Sequence, residues 1–160
     1  MKMKLLTLTG MMVILACSSL SAQKENAIGL RGGWFGGVTF QHQLSSSATL
    51  ELIAQGRNSW FNITGLYEIH KDFSDVDGMK WYYGAGGHIG FYNYSENHPV
   101  FRDRYTGNAT FVGADGILGL EYFFSELPLQ VSVDYKPMFN LGGGGIWWYN
   151  DAGLAIRYVF

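Results

Sequence analysis

The chain has 160 residues, enough for one domain, of which 48% are hydrophobic and 16% aromatic, with 22 glycines, 3 prolines and only 15% charged residues. Soluble domains average about 25% charged residues and about 7% glycine, so this composition excludes an ordinary water-facing surface. The formal charge of −2 excludes the basic footprint of a nucleic-acid binder, and a single cysteine excludes a disulfide framework.

The first element in chain order is a leader. Residues 1–4 read Met-Lys-Met-Lys, residues 5–16 are an apolar run, and residues 17–22 are small and mostly polar. That order is the pattern of a secretory signal peptide. The apolar run of 12 residues is short of the roughly 20 that a spanning helix needs. Residues 1–22 are therefore expected to be a signal peptide cleaved after Ala22, leaving residues 23–160 as one barrel domain. The alternative is acylation of Cys17 within Ile14-Leu15-Ala16-Cys17, which the bulky Leu15 disfavours. Without Lys2 and Lys4, nine basic residues remain against 13 acidic ones.

No later segment carries sustained helical periodicity, whereas several alternate strictly, as strands with two different faces do. Turn clusters of Gly, Ser, Asn and Asp divide the remainder into eight expected strands, at residues 26–33, 37–44, 48–57, 60–71, 79–92, 109–123, 128–140 and 148–160. The clearest is the seventh, where Leu129, Val131, Val133 and Tyr135 alternate with Gln130, Ser132, Asp134 and Lys136. The split between the first two strands rests on residues 34–37; without it the count falls to seven. An exported chain starts in the periplasm, and bacterial barrels have even strand numbers with short periplasmic turns. Eight strands bring the C-terminus back to the periplasm, with the connections at 93–108 and 141–147 facing outward.

Across the strands one face is apolar. The other carries Arg31, Glu51, Arg57, Glu68, Asp115, Glu121, Asp134, Lys136 and Arg157, a mixture of both signs. Inside an eight-stranded barrel, whose interior is just wide enough for side chains to fill, that set pairs internally and leaves no pore. Aromatic residues at strand ends are expected to form two interfacial girdles. Trp34, Trp60, Phe91, Phe111, Trp147 and Trp148 would belong to the outer girdle, and Trp81, Tyr122, Phe123, Tyr158 and Phe160 to the inner one. The glycine run at 84–87 suits tight curvature and leaves room for long charged partners.

The final strand, with Tyr158 and the terminal Phe160 on one face, resembles the C-terminal signal by which barrel-assembly machinery recognises outer-membrane barrels. Together with Ile28-Gly-Leu-Arg-Gly-Gly33, Thr64-Gly-Leu-Tyr-Glu68, Trp81-Tyr-Tyr-Gly-Ala-Gly86 and Asp115-Gly-Ile-Leu-Gly-Leu-Glu-Tyr122, it makes residues 26–160 resemble the small eight-stranded outer-membrane β-barrels of Gram-negative bacteria, of OmpA/OmpX type. The resemblance implies an all-β, up-and-down transmembrane barrel in contact with outer-membrane lipid and lipopolysaccharide. Architecture follows more firmly than activity, because such barrels serve structural, adhesive or occasionally enzymatic roles.

Candidate chemistry is sparse, and neither a cofactor nor a nucleic-acid partner is called for. His42 and His70 fall toward the periplasmic end, His88 in the upper barrel and His98 in the long loop, too scattered for a metal site. Asp72, Asp75 and Asp77 have the spacing of a partial calcium loop but lack its distal bidentate Glu, so a plain Asp-Gly turn is expected. Residues 142–145 read as a flexible outer loop. Arg102 and Arg104 could pair with lipopolysaccharide phosphates or a surface partner. The expected role is non-enzymatic, envelope-structural or surface-interacting. Alternatives are a lipid A acyltransferase or deacylase, for which His88, Ser95, Glu96 and His98 are the available groups, and a soluble periplasmic barrel with an apolar interior.

Overall fold

The computed structural model describes residues 25–93, 108–142 and 145–160. The expected signal peptide, with Cys17, and Ser95, Glu96, His98, Arg102 and Arg104 lie outside the described residues.

Eight antiparallel strands close into one barrel in sequence order, β1 Asn26–Gly33, β2 Gly36–Gln43, β3 Ala48–Arg57, β4 Trp60–Asp72, β5 Met79–Asn93, β6 Asn108–Phe123, β7 Leu129–Gly142 and β8 Gly145–Val159. The seam is β1 against β8, running from Ala27↔Val159 to Gly33↔Gly153. Asn26 and Phe160 extend it by exchanging backbone hydrogen bonds of 3.0 and 2.8 Å. Closure leaves no sheet edge unpaired. The end where β1 begins and β8 finishes is called proximal below, and the other distal.

Turn chemistry fixes the strand count. Only Trp34 and Phe35 separate β1 from β2, with Trp34 exposed and Phe35 buried, so the chain reverses there. Between β3 and β4, Asn58 takes a left-handed backbone with φ 54°, which Asn tolerates better than most residues. Between β4 and β5, Gly78 has φ 82° and its carbonyl accepts from Phe123 N–H at 2.8 Å. The Asp77-Gly78 pair thus forms a turn that only glycine adopts without strain.

One expectation is corrected. The expected connection at 141–147 is mostly strand, since β7 and β8 remain paired out to Gly142↔Gly145. The β6–β7 ladder keeps one register but is interrupted between Asp115↔Met138 and Leu118↔Tyr135. Pro137 lies in that gap and has no N–H to give a ladder bond.

Strand alternation sorts side chains by polarity in the reverse of the soluble order. On β1, Leu30 is 70% exposed while its neighbour Arg31 is 2% exposed; on β8, Ile156 is 59% exposed and Arg157 is fully buried. On β7, Val133 and Tyr135 point outward while Asp134 and Lys136 are buried. A soluble barrel would need the opposite on each strand, so an apolar ligand cavity is overturned.

Candidate functional site

Among the described residues, chemistry-bearing side chains are concentrated in the lumen. Inward positions follow from strand parity, so side chains far apart in sequence meet in layers. Arg31, Glu51, Glu68, Asp115, Glu121, Asp134, Lys136 and Arg157 are all buried there, joined by Asp151, His70 and His88.

Three layers can be traced from the proximal end. In the first, His70 Nδ1 lies 2.6 Å from Glu121 Oε1 and its Nε2 lies 3.3 Å from Glu68 Oε2. Gln130 Nε2 donates to Glu121 Oε2, and Gln41 Nε2 donates to Glu68 Oε2 at 3.4 Å. In the second, Arg157 Nη2 and the Thr39 hydroxyl both donate to Glu51 Oε1, and Arg157 Nη1 donates to Ser132 Oγ at 2.7 Å. The third centres on Arg31, which reaches Asp134 Oδ1 at 2.5 Å, Asp151 Oδ2 at 2.6 Å and Gln55 Oε1 at 3.1 Å. Beside it His88 Nδ1 sits 2.7 Å from Asp115 Oδ2 and its Nε2 sits 2.9 Å from Asn140 Oδ1. Lys136 Nζ lies 3.7 Å from Asp115.

Among the described residues, three buried basic side chains, Arg31, Lys136 and Arg157, therefore face six carboxylates, each of the three paired with at least one of them. Buried charge is tolerated only when partners and hydrogen bonds replace the lost water. Small residues make room for it: a Cβ at Gly153 would fall 2.5 Å from the Arg31 guanidinium, and one at Gly119 would strike the Tyr82 ring. The glycines that admit large partners are thus not chiefly those at 84–87, although Gly84 does lie against Glu68.

The distal end is closed by a different material. Phe35, Trp60, Phe111, Trp147 and Tyr149 form a contiguous set of rings, with centroid separations of 5.2 Å for Phe35–Trp60, 5.1 Å for Trp60–Phe111 and 5.8 Å for Phe111–Trp147. Tyr149 completes it, 5.5 Å from Phe35. These separations suit offset and tilted aromatic packing.

That arrangement corrects the girdle assignment. Trp60 shares a strand face with Asn62 and Thr64, Phe111 with Asp115, and Trp147 with Asp151; all three are inward residues. Phe123, assigned to the inner girdle, also has inward parity and lines the proximal mouth. Trp34, Phe91, Tyr122 and Trp148 are exposed on the outer wall, Trp81 stacks on Tyr83 at 5.4 Å, and Tyr158 stacks on Phe160 at 6.2 Å. Arg57 is corrected too. It ends β3 opposite Trp60, exposed, donating to the Trp34 carbonyl at 3.3 Å and lying 4.8 Å from the Trp34 ring centroid. Its parity is inward, but the lumen has ended.

Closed sequential topology and a charged interior meet in a known architecture. The chain has the fold of a small eight-stranded OmpA-type barrel domain. It superposes on the N-terminal β-barrel domain of Pseudomonas aeruginosa OprF with a TM-score of 0.67 at 19% identity, over 84% of this chain and 96% of that one. Identity at that level carries the fold alone. No family model and no curated protein matches the chain.

Proposed function

We propose that this protein is a non-enzymatic outer-membrane barrel with an envelope-structural or surface-interaction role, its proximal end facing the periplasm. The observation that carries the reading is the reversed polarity: apolar residues such as Leu30, Leu52, Val133, Leu154 and Ile156 are exposed around the outside, while every described buried charge is inside. An apolar belt of that extent is unstable in water and suited to lipid. Trp34, Phe91 and Trp148 toward the distal end, and Trp81, Tyr122 and Tyr158 toward the proximal end, are then the interfacial rings. The filled lumen and its distal rings support a barrel without conductance.

The lipid A enzyme reading is weakened by the burial of His88. Its side chain has no exposure and packs edge-on against Phe111 at 5.7 Å, so it cannot meet a lipid at the surface. Contacts of Arg102 and Arg104 with lipopolysaccharide or a surface partner, and recognition of Tyr158 and Phe160 by the assembly machinery, belong to the same proposal. Phe160 is exposed, as a residue read by another protein must be.

Cell fractionation tests the proposal. Recovery in outer membranes, with faster migration on SDS gels before boiling than after, is the expected result; recovery as a soluble periplasmic protein without a mobility shift would overturn it. An unchanged lipid A mass spectrum on overexpression or deletion is also expected, and a changed one would restore the enzyme reading.

A further inference from the structure

At the distal end of the β1–β8 seam the outer wall is indented. An open groove of about 540 Å³ is lined there by Gly33, Trp34, Trp148, Tyr149, Asn150 and Ala152, within the roughly 300–1,000 Å³ of ligand sites. Trp34 and Trp148 are large and exposed, and the groove between them exists because Gly33 and Ala152 are small. The indentation continues toward the middle of the wall. A Cβ at Gly32 would meet nothing within 4 Å; Gly32 lies two residues from Leu30 on the same strand face and opposite Leu154 across the seam, and both leucines are exposed.

A cation stands against one side of this groove. The exposed Arg57 holds its guanidinium 4.8 Å from the Trp34 ring centroid and donates to the Trp34 carbonyl at 3.3 Å. Both of those partners are neutral, and among the described residues no carboxylate pairs with Arg57, whereas Arg31, Lys136 and Arg157 in the lumen each have one. A guanidinium so placed keeps donors free for an anion, and its planar fork matches phosphate. Indole rings are favourable at headgroup depth. Along the wall the order is therefore cation and indoles, then small residues, then leucines, which is the order of charge and hydrocarbon in a lipid with an anionic headgroup. A soluble phosphate ester would use Arg57 and leave Trp148, Leu30 and Leu154 uncovered.

We propose that this groove seats one phosphorylated glycolipid of the outer leaflet, lipid A, with a phosphate on Arg57 and an acyl chain lying between Trp34 and Trp148 and along Gly32. The choice of lipid A rests on the membrane reading and the outward orientation of the distal end proposed above. The groove and its unpaired cation do not rest on that reading, and the site does not depend on Arg102 or Arg104.

The test is native mass spectrometry of the purified barrel released from detergent micelles that contain bisphosphorylated lipid A, lipid A stripped of its phosphates, or phosphatidylglycerol. One lipid A per barrel should be retained at saturation, and the phosphate-free form should bind about tenfold more weakly, the effect of losing hydrogen bonds between charged groups. Arg57→Gln should weaken lipid A by the same factor. Ala152→Leu, which fills the groove and leaves the charge in place, should weaken it about fivefold, the loss of a methylene or two from the wall. Absence of saturation, equal binding with and without phosphates, or unchanged affinity in Arg57→Gln would each overturn the proposal, and these comparisons decide even if Ala152→Leu fails to fold. Phosphatidylglycerol bound as tightly as lipid A would overturn it in favour of a phospholipid, and a lipid-free dimer that Ala152→Leu dissociates would overturn it in favour of a second copy of the chain. An outer-membrane protein that does not retain lipid A would sink the site and keep the proposed function; a soluble periplasmic protein that retains it would do the reverse.

Discussion

The two ends of the lumen are filled by different materials. The proximal mouth is lined by Gln, Glu, His and Lys side chains around an open cavity, whereas the distal mouth is packed with five aromatic rings. Both occupy a barrel of the same strand number, so strand count alone does not decide what enters. Polar side chains point their hydrogen-bonding atoms at specific partners and leave gaps that water can use. Rings in mutual contact exclude water without needing such partners. The ion-paired layers lie between an open cavity at one end and packed rings at the other.

The largest effect should come from breaking a layer between the ends. Arg157→Ala leaves Glu51 buried without its counter-charge, and loss of one partner of a buried pair costs about 3–5 kcal/mol. Urea unfolding of the purified barrel reads this, and a cost under about 1 kcal/mol would mean that water reaches Glu51 from the proximal cavity. Trp60→Ala removes the ring that contacts Phe35, Phe111, Trp147 and Tyr149. Because Trp60 is only half-buried, the loss should be about 2 kcal/mol, below the 3–5 kcal/mol of a fully buried ring. The same variant should raise ion flux across planar bilayers above the wild-type baseline, while a baseline unchanged in Trp60→Ala would show that the ion-paired layers seal the lumen unaided. The smallest effect belongs to Arg57→Gln, which loses an exposed cation–π contact of about 0.5–1 kcal/mol. A loss several times larger would put Arg57 back among the lumen charges.

The sequence revealed most of the architecture because period-two alternation is strong wherever one face meets lipid and the other meets charge. The β7 segment shows it plainly, with Val133 and Tyr135 outside and Asp134 and Lys136 inside. Legibility failed at strand ends. Arg57 has inward parity, but parity continues along a strand after the lumen has stopped. Trp60, Phe111 and Trp147 were assigned to a lipid-facing girdle by residue type, although their spacing of two or four residues from Asn62, Asp115 and Asp151 puts them on the lumen face. Applying parity to the rings as well as to the charges would have found the distal plug. His70 and Asp151 were legible by the same rule, lying two residues from Glu68 and six from Arg157. That Glu121 would meet His70 and Gln130 was not legible, because it depends on the register between β4, β5, β6 and β7.

The central claim is that the wall now facing outward is the wall that meets lipid. The chain's one cysteine, Cys17, lies in the expected leader, so single cysteines can be introduced along β7 at positions 131 to 135, spin-labelled and read in lipid bilayers. Labels at 131, 133 and 135 are expected to be relaxed by oxygen dissolved in the acyl chains and shielded from a water-soluble nickel chelate. Labels at 132 and 134, inside the packed lumen, should be shielded from both. If 133 and 135 are instead reached by the nickel chelate, the outer wall faces water and the membrane account is wrong.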